Sequence, residues 1–186
     1  MSAGKPVSGI VQMIRISGYI KVLLSKREEE RMKFTDKSSG FEITLPDNWR
    51  KLFIFERVKN NPFQGLLPRT LTEGPILISR DGDAMVIAVQ QPESPAQSDY
   101  RDIANKIASE TGLEISAFET VKIDGRNHTA VTWKSSYDHS RQLKTYFIIF
   151  GHLLWNITVL LRKDALFYDR IVETFTILPI VKKMME

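Results

Sequence analysis

Apolar and polar residues alternate along most of the chain after residue 32, with the period of two that is typical of β-strands. Three short runs predict the first strands: residues 33–36, 40–46 and 52–58. In the third run Phe53 and Phe55 share one face, and the polar residues around Trp49 predict a turn before it. The alternation therefore predicts a β-sheet that begins soon after residue 32.

Six further runs predict the remaining strands: residues 75–80, 84–90, 113–123, 126–135, 143–150 and 152–161. Asp81-Gly82-Asp83 joins the first two, and Asp124-Gly125 joins the third to the fourth. Asp-Gly pairs favour tight hairpin turns, so the strands are expected to run antiparallel. The last run is apolar on both faces, which requires that both faces of the sheet be covered.

Two helices complete the pattern. Apolar residues recur at helical spacing over 100–111, with Ser98 as a candidate N-cap and Gly112 after the last turn. Asp164 can cap a closing helix, because its carboxylate can accept from a free backbone N–H. The chain is therefore predicted to be an α+β protein, with an antiparallel sheet and two helices.

The segment 60–75 is predicted to be a loop from its Asn, Pro and Gly content. It carries four large apolar residues, which are unusual in a solvated connection: Phe63, Leu66, Leu67 and Leu71. Exposed apolar patches tend to mark protein interfaces, so these residues are the leading candidates for a protein-binding site. The alternative is that the loop folds back and buries them against the sheet.

The composition is that of a single globular domain. The chain has 186 residues, of which 42% are hydrophobic and 26% are charged, so a sizeable core is expected. There is no cysteine, which excludes disulfides, thiolate zinc sites and cysteine nucleophiles.

The net charge of +4 is concentrated at the front of the chain. Residues 1–31 carry six basic and three acidic side chains, and the remaining residues carry 20 basic and 19 acidic ones. A nearly neutral domain offers little attraction for a phosphate backbone, so nucleic acid is not expected as a partner.

The front segment, 1–31, is a basic extension whose apolar stretch, 7–24, is interrupted by Arg15 and Lys21. The stretch is too short and too charged to cross a bilayer, and the features of a secretory signal are missing. Contact with an anionic membrane surface is one interpretation, provided that the segment is translated and amphipathic.

A second interpretation is that translation begins at Met32. Residues 27–31 (REEER) are what a purine-rich bacterial ribosome-binding site encodes when it is read in frame. This hypothesis predicts a bacterial, cytoplasmic protein. The element pattern separately predicts one domain over 32–180 and a C-terminal tail over 181–186.

Candidate chemistry is sparse. The three histidines, His128, His139 and His152, lack the local spacing of metal ligands, and two carboxylates at Asp81 and Asp83 fall far short of a calcium loop. There is no phosphate-binding loop and no hydrolase motif. No catalytic residue, metal or cofactor is therefore predicted.

One polar loop supplies an alternative site. Tyr137, His139 and Arg141 could bind a small ligand, or support hydrolysis together with a distant carboxylate, if they converge on one pocket.

Three features together resemble the Mog1/PsbP-like family. Residues 39–49 (SGFEITLPDNW) are similar to the G-F-x-I-x-x-P-x-x-W start of its bacterial members. A helix then follows a Pro-containing linker, and a run of hairpins over 123–161 is closed by a C-terminal helix. The resemblance covers about residues 33–178 and implies an α/β/α sandwich with a central antiparallel sheet.

The resemblance also implies a non-catalytic role. Members of the family include an extrinsic photosystem II subunit, a factor that binds a small GTPase, and bacterial accessory factors or effector chaperones, which share a scaffold more than a function. We therefore expect a protein-binding or chaperone-like accessory module rather than an enzyme, with another protein as its partner.

Overall fold

The computed structural model describes residues 31–90, 100–135, 142–162 and 164–185. These ranges contain ten strands: β1 (Arg31–Asp36), β2 (Phe41–Pro46), β3 (Trp49–Lys51), β4 (Ile76–Ser79), β5 (Ala84–Gln90), β6 (Leu113–Ile123), β7 (Arg126–Ser135), β8 (Gln142–Phe150), β9 (Leu153–Leu161) and β10 (Thr176–Ile177). They also contain four α-helices: α1 (Ile54–Asn60), α2 (Tyr100–Thr111), α3 (Ala165–Val172) and α4 (Pro179–Met185). Of the basic extension predicted for 1–31, only Arg31 lies within the described residues.

The strands form two antiparallel sheets. Seven strands make the larger sheet, in the order β3-β4-β5-β9-β8-β7-β6, and three make the smaller one, in the order β1-β2-β10. β3 and β6 therefore lie at opposite edges of the larger sheet, with β9 between β5 and β8 near its centre. The predicted α+β class and its antiparallel sheet are confirmed.

The larger sheet is covered on both faces, as the apolar character of β9 requires. On one face Trp155, Ile157 and Val159 pack in a core that includes the smaller sheet and α3. On the other face Leu154 and Leu160 pack in a second core with α2 and with the segment that follows α1. The sheet thus lies between two layers that are built from different parts of the chain.

The predicted hairpins are confirmed. β4 pairs with β5 through the Asp81-Gly82-Asp83 turn, and β6 pairs with β7 through Asp124-Gly125. Asp124 has φ of 48° and Gly125 has φ of 76°, as a turn with two left-handed residues requires. The cap of α3 is confirmed as well, because Leu166 N donates to Asp164 Oδ1 at 3.2 Å.

The prediction for residues 47–58 is wrong in two respects. Trp49 does not lie in a polar turn but begins β3, pairing with Ser79 of β4 and burying its ring. The strand predicted over 52–58 is a helix, α1. Leu52 N still donates to Ile76 O at 2.7 Å, and the chain leaves the sheet at the next residue.

The segment 181–186, predicted as a C-terminal tail, is helical over most of its length, since residues 179–185 form α4. Val181 packs against the first core and lies directly on Gly40, where a Cβ atom would clash with its Cγ2. Lys182 Nζ contacts Asp124 Oδ2 at 2.7 Å. These contacts attach α4 to both the β1–β2 turn and the β6–β7 turn.

A buried ion cluster attaches α3 to the sheet. Lys144 of β8 is 1% exposed, and its Nζ donates to Asp169 Oδ1 at 2.8 Å and to Glu119 Oε2 at 2.7 Å. Tyr146 Oη donates to the same Asp169 oxygen at 2.7 Å. Burial disfavours the charge on Lys144, but the hydrogen bonds to Asp169 and Glu119 outweigh it and raise the pKa of the lysine. Lys144 therefore stays charged inside the fold.

We predict that Asp169→Ala lowers the free energy of unfolding by about 2–4 kcal/mol, because it leaves a buried cation and a buried phenol without their shared acceptor. Glu119→Gln, which alters the more exposed carboxylate, should cost less than about 1 kcal/mol. Urea denaturation of both variants checks the difference. Equal costs would show that the cluster does not depend on Asp169.

The second core contains a row of polar side chains. Trp133 Nε1 donates to Thr145 Oγ1 at 3.0 Å, and Thr145 and Thr158 share a hydrogen bond of 2.9 Å. Asn156, the next residue along this face of β9, is fully buried, and neither atom of its amide group has a hydrogen-bond partner among the described residues. An unpaired buried amide is destabilising.

We predict that Asn156→Leu raises the free energy of unfolding by about 1 kcal/mol, because it replaces an unpaired amide with an apolar side chain of similar size. Thr158→Val is the matched control, since it removes a hydroxyl that does have a partner and should lower stability by about 1 kcal/mol. Thermal and urea unfolding measure both. A destabilised Asn156→Leu protein would mean that the amide group is satisfied in solution.

Candidate protein-contact surface

The apolar loop residues lie in the second core rather than on the surface. Phe63 is fully buried and Leu71 is 3% exposed, while Leu66 and Leu67 are half-buried against the same core. The expectation of an exposed patch is therefore wrong for Phe63 and Leu71. The alternative, that the loop folds back over the sheet, holds for these two residues.

Local hydrogen bonds hold the loop in this position. Asn61 Oδ1 accepts from Phe63 N at 2.9 Å, and Phe63 O accepts from Leu66 N at 3.0 Å and from Leu67 N at 3.3 Å. A short 3₁₀-helix over Arg69–Leu71 then brings Leu71 to the core. The loop is a structural cover for the sheet, and α1 sits at its beginning.

Two phenylalanines beside this cover are exposed. Phe53 and Phe55 are 61% and 78% exposed, the highest values for any phenylalanine in the described part of the chain. Their rings lie parallel, with centroids 6.4 Å apart and an interplanar angle of 17°. We call Phe53 and Phe55 the aromatic pair. It is a large apolar surface left in contact with water.

An ion pair fixes the backbone that carries the aromatic pair. Both Nη atoms of Arg50 donate to the carboxylate of Glu56 at 2.9 Å, and Phe53 N donates to Glu56 Oε2 at 2.9 Å. The hydrogen bonds from Arg50 and Phe53 N lower the pKa of Glu56, and the hydrogen bond to Glu56 raises the pKa of Arg50. Glu56 therefore links the end of β3 to the first turn of α1.

A shallow concavity lies next to this link. It has a volume of about 420 Å³ and is lined by residues 47–50 and 78–80. Its charges are mixed, because Asp47 accompanies Arg50 and Arg80, and the Asn48 amide nitrogen donates to Asp81 Oδ2 at 3.1 Å. The concavity therefore has no single charge that would select a small ionic ligand.

The other sequence candidates do not form a catalytic site among the described residues. Tyr137, His139 and Arg141 lie outside the described residues. His128 is buried, and burial lowers its pKa, while His152 is exposed. No group of three or more His, Asp or Glu side chains that could hold a metal occurs within the described ranges.

The two carboxylates of the β4–β5 turn have structural contacts. Asp83 is 1% exposed and accepts from Ser79 Oγ at 3.1 Å and from Tyr168 Oη at 2.8 Å. It therefore connects the turn to α3.

No helix in the described ranges is long and apolar enough to cross a membrane.

Comparison with solved structures identifies the architecture. The solution structure of cyanobacterial PsbP (CyanoP) from Synechocystis sp. PCC 6803 matches with a TM-score of 0.56 and 12% sequence identity, over 79% of this chain and 92% of that chain. The chain has a PsbP-like fold. The fold predicted from the resemblance to the Mog1/PsbP-like family is thereby confirmed.

A second solved structure is less similar. A crystal structure of a protein from Bacteroides thetaiotaomicron VPI-5482 matches with a TM-score of 0.49 and 12% identity, over 78% of this chain and 47% of that chain. No protein-family model matches the chain, and no curated protein matches it in sequence. At such low identity the PsbP-like fold indicates architecture and does not assign a partner.

Proposed function

We propose that this PsbP-like protein is a non-catalytic accessory module that binds another protein through the aromatic pair. The observation that carries the proposal is the exposure of Phe53 and Phe55 on a backbone held by the Arg50–Glu56 ion pair. Burying two largely exposed phenylalanine rings is worth several kcal/mol, about 1.5–3 kcal/mol for each ring fully buried. Aromatic anchors of this kind dominate the energy of many protein interfaces.

The pair is presented in a way that suits docking. The rings extend from the β3 edge of the larger sheet, and Leu52, the residue before them, is buried in the second core. The backbone is thus anchored on one side while the rings face solvent. A prearranged anchor binds with less loss of conformational freedom than a mobile one.

Side-chain docking is favoured over the addition of a partner strand. The longest edge strand, β6, has an irregular register between Ile115 and Ala117, and its exposed positions include Glu114 and Lys122. Bulges and charges on an edge strand oppose pairing with another chain. β3, the opposite edge, has three residues and offers little backbone for pairing.

Only part of the contact surface predicted for the loop 60–75 is retained in this proposal. Leu66 and Leu67, which are half-buried, can extend a contact surface near α1, whereas the buried Phe63 and Leu71 support it from within the core. Replacing Phe63 or Leu71 would therefore affect binding through stability.

We predict that Phe53→Ser/Phe55→Ser abolishes capture of a partner from the native lysate while leaving the urea midpoint within experimental error, since neither ring belongs to a core. Phe118→Ser is the matched control, because Phe118 is also exposed but lies on β6 at the opposite edge of the sheet. Quantitative mass spectrometry of proteins retained by the wild type and both variants provides the measurement.

The expected result is a partner that is retained by the wild type and by Phe118→Ser but lost from the double variant. A set of captured proteins that is the same for all three baits, with all three folded, would contradict the proposal.

A further inference from the structure

We infer that the partner segment bound by the aromatic pair is acidic: a short peptide segment in which an apolar anchor is flanked by Asp or Glu. This inference rests on the proposed function and adds the chemistry of the partner to it. The basis is the charge around the pair, which differs in sign from that of the rest of the domain.

Positive charge is concentrated in the ten residues that carry the aromatic pair. Residues 50–59 (RKLFIFERVK) contain four basic side chains and one acidic one, a net charge of +3. The other residues of the range 32–186 carry 16 basic and 18 acidic side chains, a net charge of −2. The aromatic pair therefore lies in the most positively charged decapeptide of residues 32–186, and the remaining residues of this range carry a slight net negative charge.

Two of the four cations are already occupied within the fold. Arg50 is held by Glu56 in a two-pronged ion pair, and Lys51 Nζ lies 3.9 Å from Asp36 Oδ2. The bidentate Arg50–Glu56 contact holds the backbone that carries the pair. The Lys51 contact is long and its side chain is 48% exposed, so Lys51 still adds to the positive charge beside the pair.

The other two cations, Arg57 and Lys59, are placed for a partner. Lys59 is exposed and lies four residues after Phe55, on the same face of α1, so its ammonium group can reach a ligand that covers the ring. Arg57 is half-buried, and its Nε is itself buried without a hydrogen-bond partner among the described residues. Arg57 therefore adds positive charge near a bound carboxylate without a hydrogen bond from Nε.

A short acidic segment fits this distribution better than an extended polyanion. A membrane or a nucleic acid presents negative charge over a wide area, which the negative remainder of the domain would oppose. The concavity beside Arg50 is not uniformly positive either, because Asp47 lines it together with Arg80. The positive surface is one helical turn and its flanks, which matches a few carboxylates around one apolar anchor.

The test begins with a library of random peptides, each about 16 residues long, displayed on phage and selected on the immobilised full chain. Peptides that also bind Phe53→Ser/Phe55→Ser are removed, so that only pair-dependent sequences remain. We expect these sequences to be enriched in Asp and Glu around a large apolar residue. Their affinity should fall as NaCl is raised, because the charges are exposed.

Charge variants then test the cations directly, with one selected peptide as the probe. Arg57→Gln/Lys59→Gln should weaken binding about fivefold at low salt. Lys59→Gln alone, at an exposed position, should weaken it about 2.5-fold. The control is Lys106→Gln/Lys122→Gln, which removes the same charge from exposed positions on α2 and β6. The control should bind like the wild type.

The outcomes separate the two proposals. Pair-dependent peptides that are neutral or basic would overturn the acidic partner and leave the proposed function standing. Failure to recover any pair-dependent peptide would count against both. Sedimentation with vesicles that contain about 30% phosphatidylserine, if it depended on the pair and no acidic peptide bound, would replace the protein partner with a membrane surface.

Discussion

The burial of β9 on both faces is the constraint on which the rest of the structure depends. Its side chains alternate between two cores, with Trp155, Ile157 and Val159 on one side and Leu154 and Leu160 on the other. A sheet with such a strand at its centre is stable only if each face is covered. The two covers are therefore obligatory, and every other element is placed by one of them.

The two covers are held in different ways. The first is attached by specific polar contacts as well as by packing. Lys144 forms an ion pair with Asp169 of α3, and Asp83 accepts a hydrogen bond from the hydroxyl of Tyr168. Lys182 of α4 forms an ion pair with Asp124 in the β6–β7 turn. The second combines α2 with the loop that contains Phe63, and its polar row includes the unpaired amide of Asn156. The aromatic pair belongs to neither cover. Leu52 and Phe63, which precede and follow it in the sequence, are the residues of this segment that enter the second core.

This arrangement leaves one aromatic surface exposed on the PsbP-like scaffold, the surface through which we propose that the protein binds a partner. Two carboxylates in the described residues, Asp83 and Asp169, take part in contacts that attach α3 to the sheet. What stays accessible is a pair of phenylalanines at one edge of the sheet. Four basic residues lie within the same ten residues of the sequence, whereas the rest of the range 32–186 has a slight net negative charge. We propose that this surface recognises another macromolecule through complementary shape and charge.

The sequence alone determined the elements whose pattern is long enough to have one interpretation. Strands such as β6 to β9 span nine or more residues, and α2 spans twelve, so the periods of two and of 3.6 are distinct in them. The Asp124-Gly125 turn followed from local chemistry in the same way. The PsbP-like fold and its two-sided cover were therefore predictable.

Only the tertiary structure decided the segment from Trp49 to Leu71. β3 has three residues and α1 has seven, so neither is long enough for its period to be recognised, and the spacing of Phe53 and Phe55 suited a strand equally well. Which apolar residues are buried there depends on the space left in the second core, which Phe63 and Leu71 occupy. The ion cluster of Lys144 was equally hidden, because its two partners lie 25 residues away on either side. Local periodicity determines which elements form, whereas competition for a limited core volume determines which side chains are left for a partner.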